Sequence, residues 1–359
     1  MSATSNLIPK DTRNYRRAGA SDAWPMFMGE HMKGIVRVAG AGLALAMGIA
    51  GSVAGTAGAA TSYSFAVIGD TPYGSSQLSI FPKRIAQINA DPNVRMVGHL
   101  GDIGTGVCSN AYYQKIKASF DKFVDPLVYT PGDNEWADCH SASIGKANPL
   151  QRLAAIRSVF FPRGGRTLGQ NPISVTAQPG YKENVKFTAG GLTISTLHIV
   201  GSENDLRPWS GLGYTKATTE QVAEVKARVN AAIAQIRSAF STAKAKNSRA
   251  VVLMTQADMF APGTQSSGYR NAFQSIVRAI ASESKAFKKP VFLFNGDTHI
   301  YTKDKPLNNK KWLSFYGISG AASNLTRVSV EGETDVDEYV RVNVVSNSEV
   351  LQVQRVAYK

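Results

Sequence analysis

Cysteine is nearly absent from this chain, with only Cys108 and Cys139 among 359 residues. That count excludes a disulfide-dense scaffold. A chain this long buries roughly 75% of its unfolded surface and needs no such staples. Histidine is scarce too: beyond the N-terminal leader described below there are only His99, His140, His198 and His299. Acidic residues are outnumbered, 26 against 40 Lys and Arg, which gives a net charge of +14. There is no Gly-x-Ser-x-Gly elbow and no Gly-x4-Gly-Lys-[Ser/Thr] loop, so neither a serine-hydrolase nucleophile nor a P-loop is written here. Repeats and low-complexity linkers are missing as well. What remains is 43% hydrophobic and 18% charged, a composition that rules out a disordered chain, a collagen and a coiled coil.

Residues 1–59 read as an N-terminal extension with a signal peptide. A basic stretch at Lys33 and Arg37 precedes a charge-free run over 38–54, and Ala57-Gly58-Ala59 supplies small residues for cleavage. That order is the secretory pattern. The run is short and rich in Gly and Ala, marginal as a membrane span, so export is expected rather than a membrane anchor. The extension carries six basic and three acidic residues, which leaves +11 on residues 60–359. An exported basic protein favours anionic partners, whether phosphate compounds, anionic lipid surfaces or nucleic acid, and charge alone does not choose among them. With an even cysteine count in an oxidising compartment, Cys108 and Cys139 are expected to pair, in a loop whose closure contributes about 3–4 kcal/mol.

Along residues 60–359, strand and helix patterns alternate. Short apolar runs at 63–68, 94–100, 127–130, 191–200, 250–255 and 290–295 predict buried strands. Between them, Leu78, Phe81, Ile85 and Ile88, then Tyr112, Ile116, Phe120 and Phe123, recur at helical spacing. Thr218-x-x-Gln221 opens a further helix as a capping box. Residues 162–190 read as a long loop with short strands, and the tail from Trp312 alternates like β structure. The expectation is one α/β domain over 60–359, two sheets flanked by helices, closed by a β-rich tail.

Three early strands end in Gly-Asp: Gly69-Asp70, Gly101-Asp102 and Gly132-Asp133. A later strand runs into Gly296-Asp297-Thr298-His299. Ligands of α/β sheets sit at the carboxyl ends of strands. Four carboxylates gathered there repel one another unless a cation intervenes, so one or two divalent metal ions are expected.

In order and in strand context this set resembles the calcineurin-like metallophosphoesterases, over most of residues 63–300. The matching stretches are Asp70-Thr71-Pro72, Gly101-Asp102, Gly132-Asp133-Asn134-Glu135, Thr255-Gln256-Ala257 and Gly296-Asp297-Thr298-His299. The chain departs from the family pattern where Pro72, Asn134, Gln256 and Asp297 stand in place of histidines, and Asp133 in place of an asparagine. The resemblance implies an α/β/β/α two-sheet sandwich. It implies a first metal on Asp70, Asp102 and His299, and a second on Asp102, Asp133, the amide oxygen of Gln256, and Asp297. An alternative register makes Asn134 the ligand instead of Asp133. The implied activity is phosphoester hydrolysis by a hydroxide bridging the metals, with Asn134 hydrogen-bonding a phosphate oxygen.

Asn134 cannot donate a proton as histidine does. His198, with Asn204 beside it in the segment that follows, is therefore the candidate substitute acid and substrate contact, and His99 the candidate support behind the metal ligands. An oxygen-rich ligand set with one imidazole favours Mn²⁺, Mg²⁺ or Fe over Zn²⁺. The alternative to an enzyme is a catalytically weak relative that binds metal and a phosphorylated or polyanionic ligand.

Overall fold

The computed structural model describes residues 63–104, 106–333 and 336–359; the expected leader, its cleavage site and the boundary at residue 60 lie outside the described residues. Among these residues there are twelve strands: β1 (Ser64–Ile68), β2 (Val94–His99), β3 (Leu127–Tyr129), β4 (Thr176–Gln178), β5 (Tyr181–Ala189), β6 (Leu192–Thr196), β7 (Ala250–Met254), β8 (Val291–Asn295), β9 (Thr302–Asp304), β10 (Leu325–Ser329), β11 (Glu338–Val344) and β12 (Leu351–Ala357). They form two mixed sheets, ordered β12-β11-β1-β2-β3 and β4-β5-β6-β7-β8-β10-β9. In the first, β1, β2 and β3 run parallel while β11 returns antiparallel to β1. In the second, β6, β7, β8 and β10 run parallel.

Side-chain alternation explains the layering, because successive residues of a strand face opposite sides. In β1, Phe65 and Val67 enter a core shared with Val252, Met254 and Phe294 of the second sheet. Ala66 and Ile68 instead pack against Phe81, Ile85, Tyr113 and Ile116 of the helices Gly74–Asn89 and Asn110–Phe120. On the second sheet, Val251, Leu253, Val291 and Leu293 face Ile236, Phe240, Phe273 and Ile280 of the helices Thr219–Ala245 and Ser267–Phe287. The two sheets therefore lie face to face with helices outside them, the expected sandwich. Both faces of each central strand are buried, which is why these strands read as continuous apolar runs.

The Thr218 hydroxyl accepts from Gln221 N and the Gln221 side chain accepts from Thr218 N, so the capping box forms. Two expectations need correcting. Within 162–190, β4 is a short strand as expected, but β5 is a nine-residue strand, longer than expected; it pairs antiparallel with β6. The tail does not alternate from Trp312: Lys310–Tyr316 is a helix, and Trp312 and Tyr316, four apart, share its buried face. Cys108 and Cys139 form a disulfide with a Cα–Cα distance of 5.8 Å, tying the loop after β2 to the segment after β3. No described helix is long and apolar enough to cross a membrane.

Candidate metal centre

Parallel strands deliver their carboxyl ends to one rim. Asp70 follows β1, Asp102 follows β2, Asp133 follows β3, Gln256 follows β7, and Asp297 and His299 follow β8. Contacts join residues from both sheets: Asp297 N donates to Asp70 Oδ1 at 2.9 Å, and Gln256 Nε2 lies 3.0 Å from Asp102 Oδ2 and 2.9 Å from Asp133 Oδ1. Four of these residues, Asp70, Asp102, Asp297 and His299, have φ between 51° and 73°, a left-handed conformation uncommon outside glycine. Such backbone outliers gather at functional sites.

The Gly-Asp pairs have a steric reason. A Cβ on Gly132 would lie 2.0 Å from Asp102 Oδ1, and one on Gly296 would lie 2.0 Å from Asp70 Oδ2. The carboxylates pack against bare backbone, so only glycine fits before Asp133 and Asp297.

Donor atoms of Asp70, Asp102 and His299 lie within 4.8 Å of one another. His299 Nε2 is 3.2 Å from Asp70 Oδ1, while its Nδ1 is 2.8 Å from Glu333 Oε2. A ring held through Nδ1 by a carboxylate turns its Nε2 toward the cluster, the orientation a metal ligand requires once Nε2 gives up its proton. Asp70 Oδ2 is buried with no hydrogen-bond partner. Burial and the charges of Asp133 and Asp70 push the Asp102 carboxyl well above its ordinary range, and burial with the charge of Asp138 does the same to Asp133. Desolvation, with the charges of Asp70 and Asp258, lifts Asp297 to about 7. Burial alone would lower His299, but Asp70 and Glu333 hold it up at about 9. The cluster has more negative charge than its neighbours neutralise, and a buried oxygen with nothing to bind. A cation at Asp70, Asp102 and His299 fits both facts.

The second expected position does not fit in the same way. Gln256 presents its Nε2, not its oxygen, to Asp102, Asp133 and Asp297, at 3.0, 2.9 and 3.2 Å. Its Oε1 accepts from Gly201 N at 2.7 Å. An NH₂ group cannot ligate a cation, so the expected amide-oxygen ligand is corrected.

No family model matches the chain, and no curated protein does. Solved structures resemble it only distantly, two of them as follows. GAP50, the anchor in the inner membrane complex of Plasmodium, is 10% identical at a TM-score of 0.42, covering 83% of this chain and 89% of its own. The TT1561 protein of Thermus thermophilus is 9% identical at a TM-score of 0.40, covering 82% of this chain and 99% of its own. Neither likeness bears on the chemistry of this site.

The register after β3 places Asp133, rather than Asn134, among the carboxylates. Asn134 turns the other way and donates through Nδ2 to the Tyr73 hydroxyl at 2.6 Å. That hydroxyl is 3.2 Å from Asp102 Oδ2. His99 Nε2 reaches the carbonyl oxygen of Thr71 at 2.8 Å, bracing the turn that carries Asp70. Asp258 pairs with Arg327 at 2.5 Å and accepts from Thr298 Oγ1 at 3.1 Å, so it supports the loop between Asp297 and His299.

His198 and Asn204 fall outside the cluster. His198 is wholly buried, with Nδ1 3.0 Å from Glu183 Oε1, and Glu183 also accepts from Arg157. The His198 ring has no exposed surface, and its Nε2 is buried without a hydrogen-bond partner. Asn204 is wholly buried and lies in a one-turn left-handed segment, where Ser202, Glu203 and Asn204 have φ of 48°, 55° and 59°. Its oxygens accept from the Arg228 guanidinium, so it holds the turn rather than a substrate.

Two residues of the site escaped the sequence. Tyr73 sits just past the Asp70-Thr71-Pro72 stretch, close enough that its position was a usable signal. Glu333 lies in the β-rich tail and had none.

A cleft of about 480 Å³ adjoins the cluster, lined by Asn134, Asp138, His140, Ser202 and Arg207 among others. His140 Nδ1 accepts from Gly211 N at 3.4 Å, which leaves the ring proton of the neutral imidazole on Nε2. Burial lowers the pKa of this ring.

Proposed function

We propose that this chain is a metal-dependent phosphoester hydrolase with a divalent cation held by Asp70, Asp102 and His299. The observation that carries the reading is the convergence of those three donor sets within 4.8 Å, together with a buried Asp70 oxygen that has no partner. A cation there would supply Lewis-acid polarisation of a phosphoryl oxygen and a more acidic water. Two carboxylates and one imidazole favour Mn²⁺ or Mg²⁺ over Zn²⁺. The net charge of +11 outside the leader favours an anionic substrate.

The chain's own residues have separable tasks in this reading. The Asn134 amide, held by Tyr73, binds a phosphoryl oxygen. Arg207, exposed in the adjoining cleft, takes a polar or anionic leaving group. His140, in the same cleft, presents its Nε2 proton to that group. The disulfide fits an oxidising compartment, and export through the 1–59 leader belongs to the same proposal; N-terminal sequencing of the protein recovered from its native host, starting near residue 60, supports it.

The test of activity is turnover of p-nitrophenyl phosphate and of bis(p-nitrophenyl) phosphate with added Mn²⁺, against the same reactions in EDTA. Metal-dependent release of nitrophenol supports hydrolysis. A second reading is favoured by one observation: the imidazole expected to act as acid is sealed in the interior. In it the chain binds a phosphorylated ligand with little turnover. Saturable binding of inorganic phosphate to the Mn²⁺-loaded protein, with no nitrophenol released, would select it.

A further inference from the structure

We propose that the side-chain amide of Gln256 fills the place of a second cation, so that this acidic cluster takes one divalent ion and not two. The proposal deepens the preceding reading and rests on it in one respect, that Asp70, Asp102 and His299 hold a cation.

The argument begins with which end of the amide faces the carboxylates. Gln256 Nε2 meets Asp102 Oδ2, Asp133 Oδ1 and Asp297 Oδ1 at 3.0, 2.9 and 3.2 Å. These are hydrogen-bond distances to three separate carboxylates. On the other side, Oε1 accepts the backbone N–H of Gly201 at 2.7 Å. A backbone N–H is a donor only, so it fixes the orientation. Turning the amide over would set NH₂ against N–H and press Oε1 onto three carboxylate oxygens. The clash with the Gly201 N–H is one that no cation on the carboxylate side relieves.

The amide has little freedom to withdraw. Gln256 is wholly buried. A Cβ on Gly101 would come within 2.9 Å of Gln256 Cβ and Cγ, so the stem lies tight against the Gly101 backbone. Gly201 is equally confined: a Cβ there would stand 2.4 Å from Asp297 Oδ1 and 2.6 Å from Asp133 Oδ2. The left-handed turn after Gly201 is tied down by Arg228 on Asn204, Ser202 Oγ on Asp138, and Gln221 on the Asp205 carbonyl. The donor that orients Gln256 is therefore itself held in place.

The chemistry follows. An amide NH₂ offers two N–H dipoles to acceptors that would otherwise surround a metal. It satisfies part of their hydrogen bonding with no net charge and no ion. Asp102 keeps Oδ1 on the Asn134 side, accepting from Asn134 N at 3.3 Å, and contributes to the first position. Asp133 and Asp297 become holders of the amide instead of ligands.

The experiment uses the full chain and Mn²⁺ as the probe. Stoichiometry is measured by equilibrium dialysis with metal analysis, and the environment of bound Mn²⁺ by electron paramagnetic resonance. The expected wild-type result is one Mn²⁺ per chain with the six-line signal of an isolated ion. Gln256→His, which exchanges the amide for a nitrogen ligand, and Gln256→Glu, close to it in shape, are each expected to bind two Mn²⁺ with an exchange-coupled signal. Two ions per wild-type chain, or a coupled signal in it, overturn the proposal and leave the preceding reading standing. One ion in the wild type and still one in both folded variants also overturns it, since Gln256 then is not what limits the count. No bound ion in the wild type overturns both readings. If neither variant folds, the wild-type stoichiometry and signal decide by themselves.

Discussion

Two histidine–carboxylate pairs in this molecule use the same chemistry to opposite ends. At the rim, His299 lies 3.2 Å from Asp70 and 2.8 Å from Glu333. In the interior, His198 lies 3.0 Å from Glu183, which also takes the Arg157 guanidinium at 2.6 Å. A hydrogen-bonded His and acid is thus not the mark of a site. Charge balance separates the two. Burial works against the Glu183 carboxylate, yet His198 and Arg157 hold it down at about 2. Desolvation and neighbouring acids lift Asp297 to about 7. The interior pair is a neutralised structural tie; the rim cluster carries excess charge, which a ligand can relieve. A cleft of about 440 Å³ opens beside Arg157 and Glu183, but none of the cluster's carboxylates line it.

Breaking the rim should cost function most. Asp102→Asn removes a carboxylate shared by the proposed cation position, the Tyr73 hydroxyl and the Gln256 amide. Mn²⁺ affinity and metal-dependent turnover should each fall about 10³-fold, beyond the ~10–100-fold typical of residues behind a ligand. Calorimetric titration and steady-state rates measure this. The metal-free variant should melt no lower than the wild type, because it relieves repulsion. A lowered melting temperature would place Asp102 with the structural ties.

Breaking the interior pair should do the reverse. Glu183→Gln should lower unfolding free energy at pH 7 by about 1.5–3 kcal/mol, the range for hydrogen bonds to a charged group, here those of Arg157 and His198. Mn²⁺ affinity should not change. The sign follows from a depressed folded pKa: the contribution is complete above pH 4.5 and disappears as pH falls toward 2. Urea titrations of both proteins across that interval should converge at the acid end.

His140→Ala tests whether the proton donor lies in the adjoining cleft. Turnover of an alkyl phosphate should fall about 10²-fold, the lower range for a positioned acid. Turnover of p-nitrophenyl phosphate, whose leaving group needs no proton, should fall much less. Equal losses would make His140 a structural residue. The smallest effect is expected from Tyr73→Phe, which removes the hydroxyl holding Asn134. Vanadate inhibition should weaken about fivefold, the value of one hydrogen bond of ~1 kcal/mol.

The acid-tipped strands were legible in the sequence because each is local: an apolar run, a glycine, an aspartate. The close approach that demands the glycine was not, since Gly132 is bare because of Asp102 and Gly296 because of Asp70. Helices were legible through spacing and the Thr218 cap. The helix Lys310–Tyr316 was missed because seven residues give too short a stretch for a 3.6-residue period to separate from alternation. His198 drew attention by its place after a strand, but sequence spacing does not tell which side of a sheet end a residue faces.

The sequence by itself determined the central strands of both sheets, which of them end in acids, and that their charges exceed what one histidine can offset. Those properties follow from composition and short-range order. Only the tertiary structure decided which groups meet. Glu333 reaches His299 across a separation of 34 residues, the Asp133 carboxyl rather than the Asn134 amide joins the cluster, and His198 is sealed behind Glu183. It also decided which atom of Gln256 faces the acids. That choice rests on a single backbone donor, the N–H of Gly201 at 2.7 Å. It lies on another strand's connection, and no local pattern encodes the direction of an amide.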